Sequence, residues 1–460
     1  MKKCLFFLFA LLIFCGCKSI CNETPSARNK VKYVFLFIAD GFGENHRKLL
    51  KNEAGSPALD QFPIVRHTGT LNFEGKVTDS AASGTAIACG IKTYNGAIGV
   101  DPQRMPVKSI SKEFKERHCK VGIISTSPIN DATPSAHYAN TFNRSERSLI
   151  VHDLYHSGFD FFGASHFYLD SRYKPTEEEY LALIGQKYQI FRDQNWDKIN
   201  PADKNFIISR MVRDFPAIPR KTPSLADFTA QAIKTLDNPN GFFLMVEEGF
   251  TDVYSHANDA GGLLRAAMDF DRAVAVALEF QKKHPAETLI IATADHNTGG
   301  LYFLDNYVPG KTNLLYQQMQ ISDLHSKLLA LYQQKADWDL FERTIVDTLS
   351  LGRLTPQERV ELKNYFAYFV KQQRKGGKNK DSYDIPAALP DLPGKNHSAS
   401  LAYGASRLRD KRNGLAWEST AHTGAKILTF AKGPGAEKFD RDDLENTSIA
   451  QLIREIVFQK

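Results

Sequence analysis

The chain has 460 residues, of which 42% are hydrophobic and 24% charged, a composition typical of soluble globular proteins. Its formal net charge of +6 falls to +4 without Lys2 and Lys3, which is too small to favour a nucleic-acid partner. A chain of this length accommodates two or three domains, or one α/β domain with insertions.

The first 30 residues predict an export signal. Lys2 and Lys3 precede an apolar run at residues 4–14, which is too short to span a bilayer, and polar sequence follows. A small residue before Cys17 resembles the bacterial lipoprotein cleavage site, so we predict a signal peptide at 1–16, lipidation of Cys17 and a tether at 17–30. The mature protein would be periplasmic or anchored to the outer membrane, with secretion as the alternative. The lipid would be its only contact with a membrane.

Apolar or β-branched runs alternate along the chain with helical stretches. The predicted strands are residues 33–39, 64–72, 120–126, 242–246, 288–293 and 426–431, and the predicted helices are 81–89, 107–117, 146–156, 224–236 and 263–283. Strands that are apolar throughout belong to a sheet that is covered on both faces. The sequence therefore predicts an α/β fold, doubly wound, with a mostly parallel central sheet and helices on both faces.

Two segments interrupt this alternation. Residues from about 165 to 220 are polar and aromatic, with an acidic helix start at 176–179. Residues from about 302 to 417 include helical stretches near 321–332 and 356–370 and a basic loop at 374–380, which we interpret as a solvated tip. Both segments are interpreted as insertions in one domain at 31–460, and the larger is expected to form a crown or lid.

Asp79 and Ser80 stand at the start of the predicted helix at 81–89. Free backbone N–H groups and the positive end of the helix dipole favour an anion such as phosphate at this position. Ser80 is therefore a candidate nucleophile. The alternative is that the Asp-Ser pair only caps the helix.

Metal-ligand side chains recur where predicted strands end. They are Asp40 after 33–39, Asp131 and Thr133 after 120–126, Glu247 after 242–246, and Asp295 with His296 after 288–293. Working residues of open α/β sheets lie just beyond the carboxyl ends of the strands. We therefore expect these side chains to share one site.

Two further histidines extend this pattern. Asp252 and His256 are four residues apart, a spacing that places both side chains on one helical face toward a shared ion. His422 lies just before the last predicted strand, among small residues. Carboxylates and imidazoles gathered in this way indicate a metal centre.

Together these residues resemble the alkaline phosphatase family. The shared motifs, in the family's order, are Thr78-Asp79-Ser80-Ala81-Ala82-Ser83, the run from Gly90 to Gly96, Asp131-Ala132-Thr133-Pro134, Val246-Glu247 with Asp252 and His256, Thr293-Ala294-Asp295-His296, and His422-Thr423-Gly424. The resemblance covers residues from about 31 to 300 and from 415 to 458. It implies a catalytic domain of that family's fold.

The resemblance also implies two zinc ions and one magnesium ion. The implied ligands are Asp40, Asp295 and His296 for one zinc ion, Asp252, His256 and His422 for the second, and Asp40, Asp131, Thr133 and Glu247 for magnesium. Imidazole with carboxylate suits zinc, and oxygen donors alone suit magnesium. Val253 stands where the family often has a lysine, histidine or tryptophan, which bears on the identity of the third metal.

The same resemblance implies that the protein would hydrolyse small phosphate monoesters through a phosphoserine at Ser80. Arg144 would grip the phosphate oxygens and Asp79 would orient Arg144. A sulfatase would need x-Pro-x-Arg after its nucleophile, which the residues after Ser80 lack. A phosphodiesterase and an inactive metal-binding protein remain as alternatives. Dimers are common in the family, but the sequence does not determine whether this protein is a monomer or a homodimer.

Overall fold

The computed structural model describes residues 31–55, 58–209, 215, 222–374 and 401–459. The predicted signal peptide, the tether with Cys17, and positions 375–380 of the basic loop lie outside these residues. None of the helices in the described part of the chain combines the length and the apolar character that a bilayer crossing requires.

Strands and helices alternate over most of the chain. The strands are β1 (Tyr33–Ala39), β2 (Ile64–Gly69), β3 (Lys120–Ser125), β4 (Phe161–Ala164), β5 (Gln189–Arg192), β6 (Asn205–Ile208), β7 (Phe242–Glu248), β8 (Thr288–Thr293), β9 (Asn297–Thr298), β10 (Leu301–Phe303), β11 (Leu415–Trp417), β12 (His422–Thr423), β13 (Ile427–Lys432) and β14 (Leu444–Glu445). The α-helices are α1 (Glu44–Ala54), α2 (Ser80–Cys89), α3 (Ile110–Glu116), α4 (Ala132–Ser135), α5 (Arg147–His156), α6 (Glu177–Ile184), α7 (Leu225–Leu236), α8 (Phe250–His256), α9 (Ala260–Lys283), α10 (Ile321–Gln333), α11 (Trp338–Leu349), α12 (Pro356–Arg374), α13 (Leu401–Arg412) and α14 (Asn446–Phe458).

A ten-stranded sheet has the order β14-β2-β13-β8-β1-β7-β3-β4-β6-β5. Neighbouring strands are parallel except that β13 runs antiparallel to both β8 and β2. β1 lies between β7 and β8 and is parallel to both, so the carboxyl ends of these three strands meet at the middle of one sheet edge. The predicted α/β fold with a mostly parallel sheet is confirmed.

Side chains of β1 alternate between two apolar cores. Leu36 and Ile38 pack into one core with α2, α3, α5 and α14. Phe35 and Phe37 pack into the other with α1, α7 and α9. Helices thus cover both faces of the sheet, which explains why β1 reads in the sequence as an unbroken apolar run.

The smaller predicted insertion contributes to the central sheet. β5 and β6 both lie within residues 165–220 and extend the sheet in parallel beyond β4. Each strand has only four residues. Such short strands show too little periodicity to be recognised in the sequence.

The larger predicted insertion begins and ends at one place. β10 and β11 form an antiparallel pair in which Leu301 lies opposite Trp417. Between these strands, α10, α11, α12 and α13 pack around an apolar core of their own, which includes Leu324, Ile345 and Leu362. This segment therefore forms a helical layer with its own core, which the chain enters and leaves through one short ribbon.

Candidate active site

The middle of the sheet's carboxyl edge holds a group of buried acids. Asp40 directly follows β1, and Asp295 lies two residues beyond β8. Glu247 lies inside β7, because this strand continues two residues beyond its predicted end. Asp40, Glu247 and Asp295 are 6%, 1% and 0% exposed, so their charges require partners.

Asp40, Asp295 and His296 form the first cluster. His296 Nε2 lies 3.2 Å from Asp295 Oδ2 and 3.5 Å from Asp40 Oδ1. Asp295 Oδ1 accepts backbone N–H groups from Gly41 at 3.0 Å and His296 at 2.8 Å, which fixes the orientation of the carboxylate. Asp40 Oδ1 and Asp295 Oδ2 are buried and have no hydrogen-bond partner among the described residues. Their lone pairs are therefore available to a cation.

Burial and neighbouring carboxylates disfavour the charged forms of Asp40 and Glu247. Burial raises the pKa of Asp40 well above its ordinary value, and the charges of Asp295, Asp252 and Glu247 raise it further. Burial also raises the pKa of Glu247, despite the hydrogen bond that Ser125 donates to it. A bound cation would relieve this repulsion.

Asp252, His256 and His422 form the second cluster. His256 Nε2 lies 3.2 Å from Asp252 Oδ2 and 3.1 Å from His422 Nε2. The Nδ1 atoms of His256 and His422 face the carbonyl oxygens of Thr420 at 2.6 Å and Thr78 at 2.9 Å. Since a carbonyl only accepts, each Nδ1 carries a proton, which leaves Nε2 of each ring as the atom that can bind a metal ion. The Nε2 atoms of two imidazoles and a carboxylate therefore converge, a set of donors that suits zinc.

His296 lies between the two clusters. Its ring stacks on that of His422 with centroids 3.6 Å apart. Ligand atoms of Asp252, His296 and His422 lie within 4.8 Å of one another, as do those of Asp40, Asp295 and His296. The two clusters are thus contiguous, and His296 belongs to both groups.

Asp131 and Thr133 lie on α4 or at its start, near Glu247. Thr133 Oγ1 is buried and has no hydrogen-bond partner in the described part of the chain. Asp131 Oδ1 accepts from the Ala132 N–H at 2.8 Å and from Arg144 Nη2 at 3.0 Å. Asp131 therefore lies between Arg144 and the buried Glu247. Val253, by contrast, is 49% exposed and contributes no charge to the site.

Ser80 is the first residue of α2 and lies beside the first cluster. Its Oγ is 3.4 Å from His296 Nε2, and the residue is only 5% exposed. Asp79 caps the helix by accepting the Ala82 N–H at 2.9 Å. The capping role thus belongs to Asp79, which leaves the Ser80 hydroxyl directed to the cluster.

Arg144 is held by two carboxylates. Its Nη1 donates to Asp79 Oδ2 at 3.2 Å and its Nη2 to Asp131 Oδ1 at 3.0 Å. Burial lowers the pKa of Arg144, but Asp131 and Asp79 raise it by more, so the guanidinium stays charged. Asp79 therefore links the start of α2, where Ser80 lies, to the guanidinium of Arg144.

Two residues that support the site were not predicted from the sequence. Thr298 donates its hydroxyl to Asp252 Oδ1 at 2.5 Å and lies 3.2 Å from His296 Nδ1. Asn95 accepts the Asp79 N–H at 3.1 Å, within the motif that ends at Gly96. Membership of that motif was a signal for Asn95, whereas no local pattern distinguishes Thr298.

Comparisons with known proteins point to one family. A sequence model of the alkaline phosphatase family matches residues 31–157 and 184–458. Alkaline phosphatase 4 of Bacillus subtilis is 29% identical, over 97% of this chain and 94% of its own. Alkaline phosphatase 3 of the same organism is 28% identical, over 93% and 89%.

Solved structures show the same fold. The cold-active alkaline phosphatase of a psychrophilic Shewanella covers 92% of this chain and 99% of its own, with a TM-score of 0.73 and 24% identity. A variant of the alkaline phosphatase TAB5, described with Mg bound in the M3 site, covers 93% and 98%, with a TM-score of 0.63 and 25% identity.

Proposed function

Because this chain belongs to the alkaline phosphatase family and is a metal-dependent phosphomonoesterase, we propose that it acts through a phosphoserine at Ser80. The observation that carries the proposal is the position of the Ser80 hydroxyl, 3.4 Å from His296 Nε2 at a helix start. The partial positive charge of that helix start favours a phosphate group beside the hydroxyl. We propose small phosphate monoesters as substrates.

The proposed cofactors are two zinc ions and one magnesium ion. The proposed ligands are Asp40, Asp295 and His296 for one zinc ion, Asp252, His256 and His422 for the second, and Asp40, Asp131, Thr133 and Glu247 for magnesium. The donor types suit these ions, since zinc prefers imidazole and carboxylate and magnesium prefers oxygen. The assignment is supported by three buried oxygens that have no hydrogen bond among the described residues: Asp40 Oδ1, Asp295 Oδ2 and Thr133 Oγ1. When bound, these ions supply Lewis acidity, which lowers the pKa of a coordinated hydroxyl or water.

The residues then divide the reaction between them. Ser80 loses its hydroxyl proton, and its Oγ bonds to phosphorus as the bond to the alcohol oxygen breaks; the alcohol leaves with a proton. Water attacks the phosphoserine, the bond from phosphorus to Oγ breaks, Oγ regains a proton that the attacking water releases, and inorganic phosphate leaves. Arg144 binds the non-bridging oxygens in both steps, and Asp79 keeps its guanidinium in place.

Replacing the nucleophile tests this proposal. Ser80→Ala is expected to abolish the phosphoserine burst and most turnover of p-nitrophenyl phosphate, without changing the zinc content. Ser83→Ala is the matched control, because Ser83 lies on the same helix as Ser80 but donates its hydroxyl to the backbone carbonyl of Asp295 at 2.6 Å. This variant should keep the burst. Wild-type turnover in Ser80→Ala would exclude Ser80 as nucleophile. If the wild type hydrolyses the diester bis-p-nitrophenyl phosphate faster than the monoester p-nitrophenyl phosphate, a phosphodiesterase is favoured.

We also propose that the protein is exported and anchored through a lipid on Cys17. The support is the sequence pattern of the first 30 residues. In bacteria fed with labelled palmitate, Cys17→Ala should lose the label and Cys21→Ala should keep it. Label retained in Cys17→Ala would exclude this anchor and favour ordinary secretion. Whether the protein forms a homodimer stays a separate proposal, for light scattering to test.

A further inference from the structure

A buried group of polar residues joins the 302–417 insertion to the second cluster. We propose that Arg409, on α13, is a positioning residue that holds the Asp252, His256 and His422 ligands in place for zinc. The inference rests on the proposed function, since it concerns one of the two proposed zinc sites. We call the group of Asp259, Gln317, Arg409, Asp410 and Trp417 the Arg409 network.

The Arg409 network contains three charges without access to water. Arg409 is fully buried and donates to Asp410 Oδ1 from Nε at 3.0 Å and from Nη2 at 2.7 Å. Nη2 also lies 3.4 Å from Asp259 Oδ1, and Nη1 donates to Gln317. Burying such charges costs desolvation energy, so this arrangement contributes more to a fixed geometry than to stability.

The Arg409 network fixes the loop that follows the second cluster's helix. Asp259 lies three residues after His256 and caps α9 by accepting the Gly262 N–H at 3.0 Å. Its other carboxylate oxygen accepts the Ile321 N–H at 3.2 Å, from α10. Ser406 on α13 donates to the Asn258 carbonyl at 3.1 Å. Two helices of the insertion therefore hold the end of α8.

The same group fixes the segment that leads to His422. Trp417 donates its indole N–H to Asp410 Oδ2 at 2.8 Å. Two residues later, the Ser419 carbonyl accepts from Asn258 Nδ2 at 2.8 Å. The next carbonyl, that of Thr420, accepts from His256 Nδ1 at 2.6 Å. The orientation of His256 thus depends on the position of residues 417–420, which the Arg409 network holds at Trp417 and backbone hydrogen bonds to Gly299 hold at Glu418 and Ser419.

The first cluster is held in a different way. Asp40 and Asp295 follow strands of the central sheet, and backbone N–H groups of Gly41 and His296 orient Asp295. A change in the Arg409 network should therefore affect one zinc site and spare the other. A residue that only stabilised the fold would not separate the two sites.

Zinc titration of metal-free protein against a chelator tests the proposal. For Arg409→Lys and Trp417→Phe we expect one of two zinc ions to bind about 10-fold more weakly and the other to bind as in the wild type. In the metal-free variants, hydrogen exchange should be faster in peptides covering 249–259 and 418–424, and unchanged in those covering 34–40 and 288–296.

Arg412→Lys is the matched control, because Arg412 lies on the same helix and pairs with Glu358 inside the insertion. It should leave both zinc affinities unchanged. If Arg409→Lys does not fold, Trp417→Phe, which removes one N–H donor from Asp410, carries the test. Unchanged zinc binding in the variants, or equal weakening of both ions, would overturn the inference. Fewer than two zinc ions in the wild type would instead overturn the proposed function.

Discussion

Arg144 is fixed before any substrate binds, because Asp79 and Asp131 each accept a hydrogen bond from one of its two terminal nitrogens. A lysine has its three donors on a single nitrogen and cannot offer a planar fork to phosphate. We expect Arg144→Lys to weaken competitive inhibition by inorganic phosphate by roughly 10- to 100-fold, about 1.4 to 3 kcal/mol. Inhibition of p-nitrophenyl phosphate hydrolysis measures this effect.

A surface arginine provides the control for this substitution. Arg441 pairs with Asp443 where both side chains are exposed. Arg441→Lys should therefore leave the inhibition constant of phosphate unchanged. A wild-type constant in Arg144→Lys would show that phosphate binds without this guanidinium.

For single residues of the site, the sequence indicated the residue types and their approximate positions. Asp40 and Asp295 follow apolar runs, and the carboxyl ends of parallel strands meet at one edge, so their proximity could be predicted. The contact between Thr298 and Asp252 could not, because the chain separates them by 46 positions. The sequence likewise did not reveal that one oxygen of Asp131 accepts from Arg144, which depends on non-local packing.

Among the elements, the turn between β9 and β10 depends on a glycine. Gly299 has a φ of +76°, and a Cβ there would lie 2.6 Å from Trp417 Cε3 and 2.9 Å from the Ser255 carbonyl oxygen. We expect Gly299→Ala to lower the free energy of unfolding by about 1–2 kcal/mol through left-handed strain and by a further ~1–3 kcal/mol through overpacking. Urea denaturation measures both contributions together.

Gly75 separates the two contributions. Its φ is +71°, but a Cβ there would have no heavy atom within 4 Å. Gly75→Ala should therefore show only the loss that comes from backbone strain. Equal losses in the two variants would mean that the Trp417 ring can move aside without cost.

Elements with two buried faces were the easiest to predict. β1 and β8 have the predicted bounds, because their side chains are apolar throughout. α9 begins three residues earlier than predicted, at Ala260, and includes Gly261 and Gly262. Glycine is unfavourable in helices, so the sequence argued against this start. Packing explains it, since a Cβ at these positions would meet Gln317 and Tyr254.

For the whole molecule, the insertion is the part that the sequence described least. Helical stretches near 321–332 and 356–370 were predicted, and α10 and α12 include them. The sequence could not indicate where these helices dock, because amphipathic faces do not specify a partner. The contacts of Asp259 with Ile321 and Arg409 place the insertion beside the second cluster, a relation that only the folded chain reveals.

The charge balance of the site predicts how the metal-free protein responds to pH. Burial raises the pKa of Asp40 and of Glu247. Burial would lower the pKa of His256, but its hydrogen bond to Asp252 and the charge of that residue raise it to about 9. All three groups bind protons more tightly in the folded chain than in the unfolded chain. The stability that they contribute is therefore lost as pH rises.

His256 acts in a defined pH window. Its contribution is complete below its ordinary pKa of 6.5 and is lost as pH rises toward 9. We expect the metal-free protein to have a lower Tm at pH 9 than at pH 6.5, by calorimetry in the presence of chelator. His256→Gln should reduce this difference, since its amide does not titrate. A metal-free protein equally stable at both pH values would contradict the charge balance described above.

Bound cations should reverse this trend, because zinc and magnesium take the place of the protons and bind more tightly as their ligands deprotonate. The Tm gain from adding both metals should thus be larger at pH 9 than at pH 6.5, since binding to the folded state raises stability with affinity. Asp252 does not oppose this, because its pKa is already below the ordinary value and it stays charged throughout the range. A metal-induced gain that is larger at pH 6.5 would show that ligand deprotonation does not control metal binding in this site.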